Sequence, residues 1–135
     1  MLTIYVGMAL TEAPEEFRGS FQKELKDALA SLPNIQILDF VGLENGDEGQ
    51  VYTHDRRCTE QADLCVFICD YPSIGLGIEI AFRFLTGKPM LCFARDGQRV
   101  TRMLLGMCQF EEIPFHRYDF VDEIVSLVKE RLEYA

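Results

Sequence analysis

The stretch Asp70-Tyr-Pro-Ser-Ile-Gly-Leu-Gly-Ile-Glu79 decides how this chain is read. It follows Leu64 to Cys69, an apolar run without polar alternation that reads as a strand buried on both faces. It leads into Ile78 to Thr86, which reads as a helix. Strand, glycine-bearing turn and helix make a βα unit, and the rest of the chain repeats that unit. Upstream, Leu2 to Val6 is a β-rich run ending at Gly7, and Thr11 to Leu32 carries apolar residues at 17, 21, 25, 28, 29 and 32, a helical stripe. Pro33-Asn34 stops that helix, Ile35 to Phe40 reads as a second strand, Gly42 to Gly49 as an acidic loop, and Tyr52 to Gln61 as a polar helix. Downstream, Met90 to Ala94 is another buried strand, Val100 to Met107 a short helix, Ile113 to Tyr118 a fifth strand, and Phe120 to Glu133 a final helix with Val121, Ile124, Val125, Val128 and Leu132 on its inner face.

Five βα units with short connections imply right-handed crossovers. The expected architecture is α/β: a three-layer, doubly wound, five-stranded parallel sheet of flavodoxin/Rossmann-like type, strand order 2-1-3-4-5, in one domain over 1–135. In such a sheet ligands bind beyond the carboxyl ends of the strands, at the switch point between the first and third. Gly7, Asp70 to Gly77 and the turn after strand four all fall on that edge.

Composition narrows the partners. A formal charge of −9 argues against a nucleic acid polymer, whose binding needs a Lys/Arg surface to displace counterions, while leaving room for a small nucleotide in a pocket. No apolar run approaches the roughly 18 residues that span a bilayer, and Met-Leu-Thr-Ile-Tyr has no basic leader region, so a cytoplasmic protein without membrane attachment is expected. The five cysteines, at 58, 65, 69, 92 and 108, lie mostly in apolar strand-like runs without a Cys-x-x-Cys pair and read as reduced, buried thiols. Two histidines without ligand spacing give no metal site to propose.

Two carboxylates carry the chemistry. Glu79 follows Gly75-x-Gly77 and is expected in the first turn of its helix, where unpaired amides and the dipole favour the ionised form. Asp55 lies one helix and one strand upstream, so both acids reach the same edge. An anionic carboxylate there is suited to capture C1′ of a deoxyribose as its bond to a base breaks, and the second acid to neutralise the departing base. Each residue also has a plainer reading. A Gly-x-Gly segment occurs wherever a helix packs closely on a sheet, and Asp55 beside Arg56 and Arg57 fits a solvated surface pair.

The run from Asp55 through Gln61-Ala-Asp63 to Tyr71-Pro-Ser-Ile-Gly-Leu-Gly-Ile-Glu79 resembles the signature of the nucleoside 2-deoxyribosyltransferase superfamily, most of all its 2′-deoxynucleoside 5′-phosphate N-hydrolases. Ile4-Tyr5-Val-Gly7, Gly87-Lys-Pro89 and Met103-Leu-Leu-Gly106 extend the similarity over most of the chain. The resemblance implies Glu79 as nucleophile, Asp55 as the acid assisting base departure, and Tyr5 beside the nucleophile. It places Ser73, Gly75, Gly77 and Thr101 against the substrate, with Ser73 and Thr101 toward a 5′-phosphate and the glycines letting backbone approach the ligand; Gly7 and Met8, at the end of the first strand, are expected beside them. It also implies a homodimer or higher homo-oligomer, no cofactor, and a small deoxynucleoside or deoxynucleotide as substrate. Met103, Leu104, Leu105, Met107 and Phe110 are apolar enough for a subunit contact and equally fit a core.

The chain departs from that pattern after Gly7 and again after Glu79. Met8 and Leu10 stand where the N-hydrolases have a serine and an arginine, leaving Met8-Ala-Leu10 as an apolar wall for base or sugar and Arg95, Arg99 or Arg102 as substitute cations. Arg83, one turn beyond Glu79, is expected to form a surface i,i+4 ion pair with it. The catalytic reading, transferase or hydrolase, therefore stands beside a catalytically worn nucleotide sensor and a flavodoxin-like interaction domain.

Overall fold

In the computed structural model, which describes residues 1–133, five parallel strands form a sheet in the order β2-β1-β3-β4-β5. They are β1 (Leu2–Met8), β2 (Ile35–Leu38), β3 (Leu64–Ile68), β4 (Met90–Arg95) and β5 (Phe115–Tyr118). The helices are α1 (Gln22–Ala30), α2 (Glu48–Gln61), α3 (Ile74–Thr86), α4 (Arg102–Phe110) and α5 (Val121–Glu133). The strand order is the one expected from the repeated βα units.

Period-two alternation divides the apolar residues between two cores. Ile4, Val6 and Met8 pair in register with Leu64, Val66 and Ile68 and meet Leu25 and Leu29 of α1 and Ile124 and Val128 of α5. Tyr5, Cys65, Phe67 and Cys92 point the other way, onto Leu76 and Ile80 of α3 and Leu104 and Cys108 of α4. All five cysteines are buried as free thiols. Truncating Leu25 or Ile124, both fully buried, to Ala costs about 2–5 kcal/mol. Among the described residues no helix is long and apolar enough to cross a membrane.

Capping moves two helix starts upstream of where periodicity put them. Asp47 accepts from the Gln50 amide at 2.9 Å while the Gln50 side chain accepts from the Asp47 amide at 2.7 Å, a reciprocal capping box. Helix α2 accordingly begins at Glu48 and absorbs the end of the expected acidic loop. Ser73 Oγ accepts from the Leu76 amide at 3.1 Å, so α3 starts at Ile74 and not at Ile78. Gly75 and Gly77 are therefore helical residues, and Glu79 lies in the second turn, beyond the free amides expected to hold it ionised. Before α1, a π-helical turn over Phe17–Phe21 stacks the two buried phenylalanines at a centroid distance of 5.1 Å. Strand β2 stops at Leu38 and β5 starts at Phe115, two residues inside the expected Phe40 and Ile113 limits.

Candidate active site

Gly7 sits near the carboxyl end of β1, where a Cβ would lie 2.6 Å from Phe67 Cδ1 and 2.9 Å from Glu79 Oε1. Only a glycine lets the Glu79 carboxylate settle there. Two residues earlier on the same face, the fully buried Tyr5 donates its hydroxyl to Glu79 Oε1 at 3.0 Å. Strand β1 thus supplies the floor beneath Glu79 and a donor to it.

Asp55 enters from α2. Its Oδ1 accepts from the Val41 amide at 3.0 Å, which ties the carboxylate to the chain just beyond β2. Asp55, Glu79 and Gly75 line one cleft of about 400 Å³, walled by Leu43, Tyr52 and Phe82, a size within the range of small-molecule sites. Tyr52 and Phe82 meet edge to face at 6.1 Å, with the Arg56 guanidinium 4.3 Å from the Phe82 ring and bonded to the Tyr52 hydroxyl and Glu60. The sequence reading passed over this aromatic wall. Its signal was helical spacing: Tyr52 is three residues before Asp55, and Phe82 three after Glu79.

The site is poised by burial. Desolvation, helped by the nearby Asp55 charge and opposed by the Tyr5 hydrogen bond, pushes Glu79 up to about 8. Burial also raises Asp55, against the Val41 amide that favours its ionised form. Tyr5 is driven far up, first by burial and then by Glu79, so it remains a donor. The expectation of a dipole-stabilised Glu79 anion is corrected: Glu79 lies in the second turn of α3, and burial favours its protonated form.

Other residues fall elsewhere. Met8 packs into the α1/α5 core on the opposite face of the sheet, because its register places it with Ile4 and Val6 and not with Tyr5 and Gly7, so it forms no wall of the cleft. Ser73 caps α3, and Thr101 caps α4 by accepting from the Met103 amide, exposed and outside the lining of the cleft. Gly77 has no atom within 4 Å of where a Cβ would lie and is not part of the lining, so no close approach requires it. Arg83 makes no pair with Glu79. It is fully buried and donates to backbone carbonyls of Thr59, Ala62 and Pro89. Arg95 is engaged with Asp70 and the Asp119 carbonyl, away from the cleft. Asp70 itself is buried, accepting from the Tyr118 hydroxyl at 2.6 Å and the Arg95 amide at 2.9 Å, and knots together the ends of β3, β4 and β5. Among the described residues no three His, Cys, Asp or Glu side chains gather as metal ligands.

No family model matches the chain. In sequence it is 35% identical over 91 residues to a Thermofilum pendens protein that bears the provisional name 2′-deoxynucleoside 5′-phosphate N-hydrolase 1. That match covers 65% of this chain and 63% of the relative, so the chain spans less than two thirds of the curated relative's length. In fold it is similar to the CMP N-glycosidase of Clostridium botulinum, with a TM-score of 0.72 at 15% identity over 96% of this chain and 98% of the other. It is also similar to the 2-deoxyribosyltransferase of Bacillus psychrosaccharolyticus, with a TM-score of 0.61 at 16% identity over 91% and 90% of the two chains. The sequence match points the same way as the resemblance to the nucleoside 2-deoxyribosyltransferase superfamily, and the solved structures share the fold.

Proposed function

We propose that this protein is an enzyme that cleaves the N-glycosidic bond of a 2′-deoxynucleoside or its 5′-monophosphate. The observation that carries the proposal is the convergence of Glu79 and Asp55, from two helices, on one cleft, with Tyr5 bonded to Glu79. In the first step the ionised Glu79 carboxylate attacks C1′ as the bond to the base breaks. The electron pair leaves with the base, which takes a proton from Asp55, and an ester joins C1′ to Glu79. In the second step water attacks C1′, Asp55 accepts its proton and Glu79 is released with the free sugar. A nitrogen of a second base attacking in place of water gives a new nucleoside. Burial favours the protonated form of both acids, and the productive state is the one in which Glu79 is ionised and Asp55 carries the proton.

The aromatic edge of Tyr52 and Phe82 suits a flat heterocycle. A second copy of the chain is proposed to cover the outer face of α4, where Met103 and Phe110 are 82% and 85% exposed while Leu104 turns into the core. Light scattering at several concentrations checks that contact. The sensor reading drew on Met8, Leu10 and Arg83, and it loses support where Met8 lies in the opposite core and Arg83 binds carbonyls.

The test is a panel of deoxynucleosides and deoxynucleoside monophosphates, with and without a second free base, followed by chromatography. Base release or exchange by the wild type that disappears in Glu79→Ala supports the proposal. Ligand binding without turnover on any member favours the sensor.

A further inference from the structure

Helices α2 and α3 carry the two acids, and one side chain ties them together a single turn below. Asp55 and Thr59 are four residues apart on α2, as Glu79 and Arg83 are on α3. The Thr59 hydroxyl donates to the Asp55 carbonyl at 2.7 Å, and Arg83 Nη1 donates to the Thr59 carbonyl at 3.1 Å and the Ala62 carbonyl at 2.6 Å. Nε and Nη2 both reach the Pro89 carbonyl, at 3.1 and 2.8 Å, in the turn entering β4. The last carbonyls of α2 have no partner within their own helix and carry the negative end of its dipole, which suits a cation. Arg83 is fully exposed to none of the solvent that would otherwise serve them, at 0% accessibility. Among the described residues it has no carboxylate partner within salt-bridge distance, so its fork is spent wholly on holding main chain.

We infer that Arg83 is a positioning residue for the Asp55–Glu79 pair: by clamping the C-terminal end of α2 to α3 and to the α3–β4 turn, it fixes how closely the two carboxyl groups approach and how much water reaches Glu79. A lysine at 83 has a single nitrogen and cannot hold Thr59, Ala62 and Pro89 in one planar fork. Arg83 acts through the helices and touches no reacting atom. The inference rests on the catalytic reading of the two acids, and a readout that needs no substrate separates the two.

The experiment compares wild type, Arg83→Lys and Arg83→Met with Ile124→Val, a control that trims the opposite core. Turnover is measured as separate kcat and KM across pH, and the Glu79 carboxyl is titrated by carbon-13 NMR of labelled glutamate, assigned against Glu79→Gln. Expected for Arg83→Lys is a loss of kcat of about 10²-fold with KM held within about twofold. The Glu79 midpoint moves down by about one pH unit as water enters. Ile124→Val lowers the melting temperature and leaves kcat and the midpoint unchanged. If Arg83→Met does not fold, Arg83→Lys carries the comparison, and if neither folds, the midpoint is read in wild type as urea is raised below the unfolding transition. A midpoint that falls before global unfolding supports the clamp, and one that moves only with unfolding overturns it. An unchanged kcat and midpoint in folded Arg83→Lys, with lowered stability alone, also overturns it. Wild type without turnover sinks the catalytic reading and leaves the NMR titration to decide the clamp.

Discussion

The Tyr5 hydroxyl reaches Glu79 Oε1 at 3.0 Å from the strand beneath the helix that carries the acid. This donor favours the ionised carboxylate, opposing the burial that raises Glu79 to about 8. Tyr5→Phe removes the opposition, so the Glu79 midpoint moves higher. The fraction of the pair with Glu79 ionised and Asp55 protonated falls, giving about tenfold lower activity at neutral pH, while the falling limb of kcat/KM moves to more alkaline values. A pH–rate profile of the two proteins checks both effects.

Gly7→Ala places a methyl group 2.6 Å from the Phe67 ring and 2.9 Å from Glu79 Oε1. Ring and carboxylate must both yield, at a cost of about 1–3 kcal/mol. Urea unfolding reads the stability loss, and turnover falls by more than stability alone explains, because the displaced group is the nucleophile.

Glu79 also makes stability depend on pH. Its folded value of about 8 stands above its ordinary 4.5, so between those limits the folded state keeps a proton that the unfolded chain gives up. Stability from this group is therefore full below about 4.5 and declines as pH rises through 8, by up to roughly 1.4 kcal/mol per pH unit. Comparing wild type with Glu79→Gln by urea unfolding from pH 4.5 to 8 isolates this contribution as the difference between the two slopes, wild type falling the more steeply.

Ser73 Oγ accepts from the Leu76 amide, and its own proton has no acceptor among the described residues. Ser73→Ala removes the cap at a cost of about 1 kcal/mol. If that proton meets a 5′-phosphate, the same change raises KM for deoxynucleoside monophosphates about tenfold and leaves KM for the unphosphorylated nucleosides unaltered. Steady-state kinetics on matched pairs of substrates measures the difference.

The middle of the sheet was legible because Leu64 to Ile68 and Met90 to Ala94 are uninterrupted apolar runs, which read as buried strands once helices flank them. Helix starts were less legible. Asp47 with Gln50, and Ser73 before Leu76, are side-chain caps that outweigh glycine's poor helix propensity, whereas apolar periodicity begins only later in each helix. Spacing brought Asp55 and Glu79 to one edge but gave no account of burial, which favours the protonated form of Glu79. Met8 and Arg83 were misplaced for one shared reason. A residue's direction on its strand or helix depends on which neighbours cover it, and Arg83 turns inward because the carbonyls at the end of α2 lie there.

Intact-mass spectrometry of protein quenched during turnover tests the central claim most directly. With a substrate found active in the panel, wild type is expected to gain the mass of one deoxyribosyl group, or its 5-phosphate, located to Glu79 by peptide mapping. Addition of free base or longer exposure to water discharges it, and Glu79→Gln never acquires it. Turnover in which the adduct forms on another residue, or continues undiminished in Glu79→Gln, contradicts the assignment of Glu79 as nucleophile.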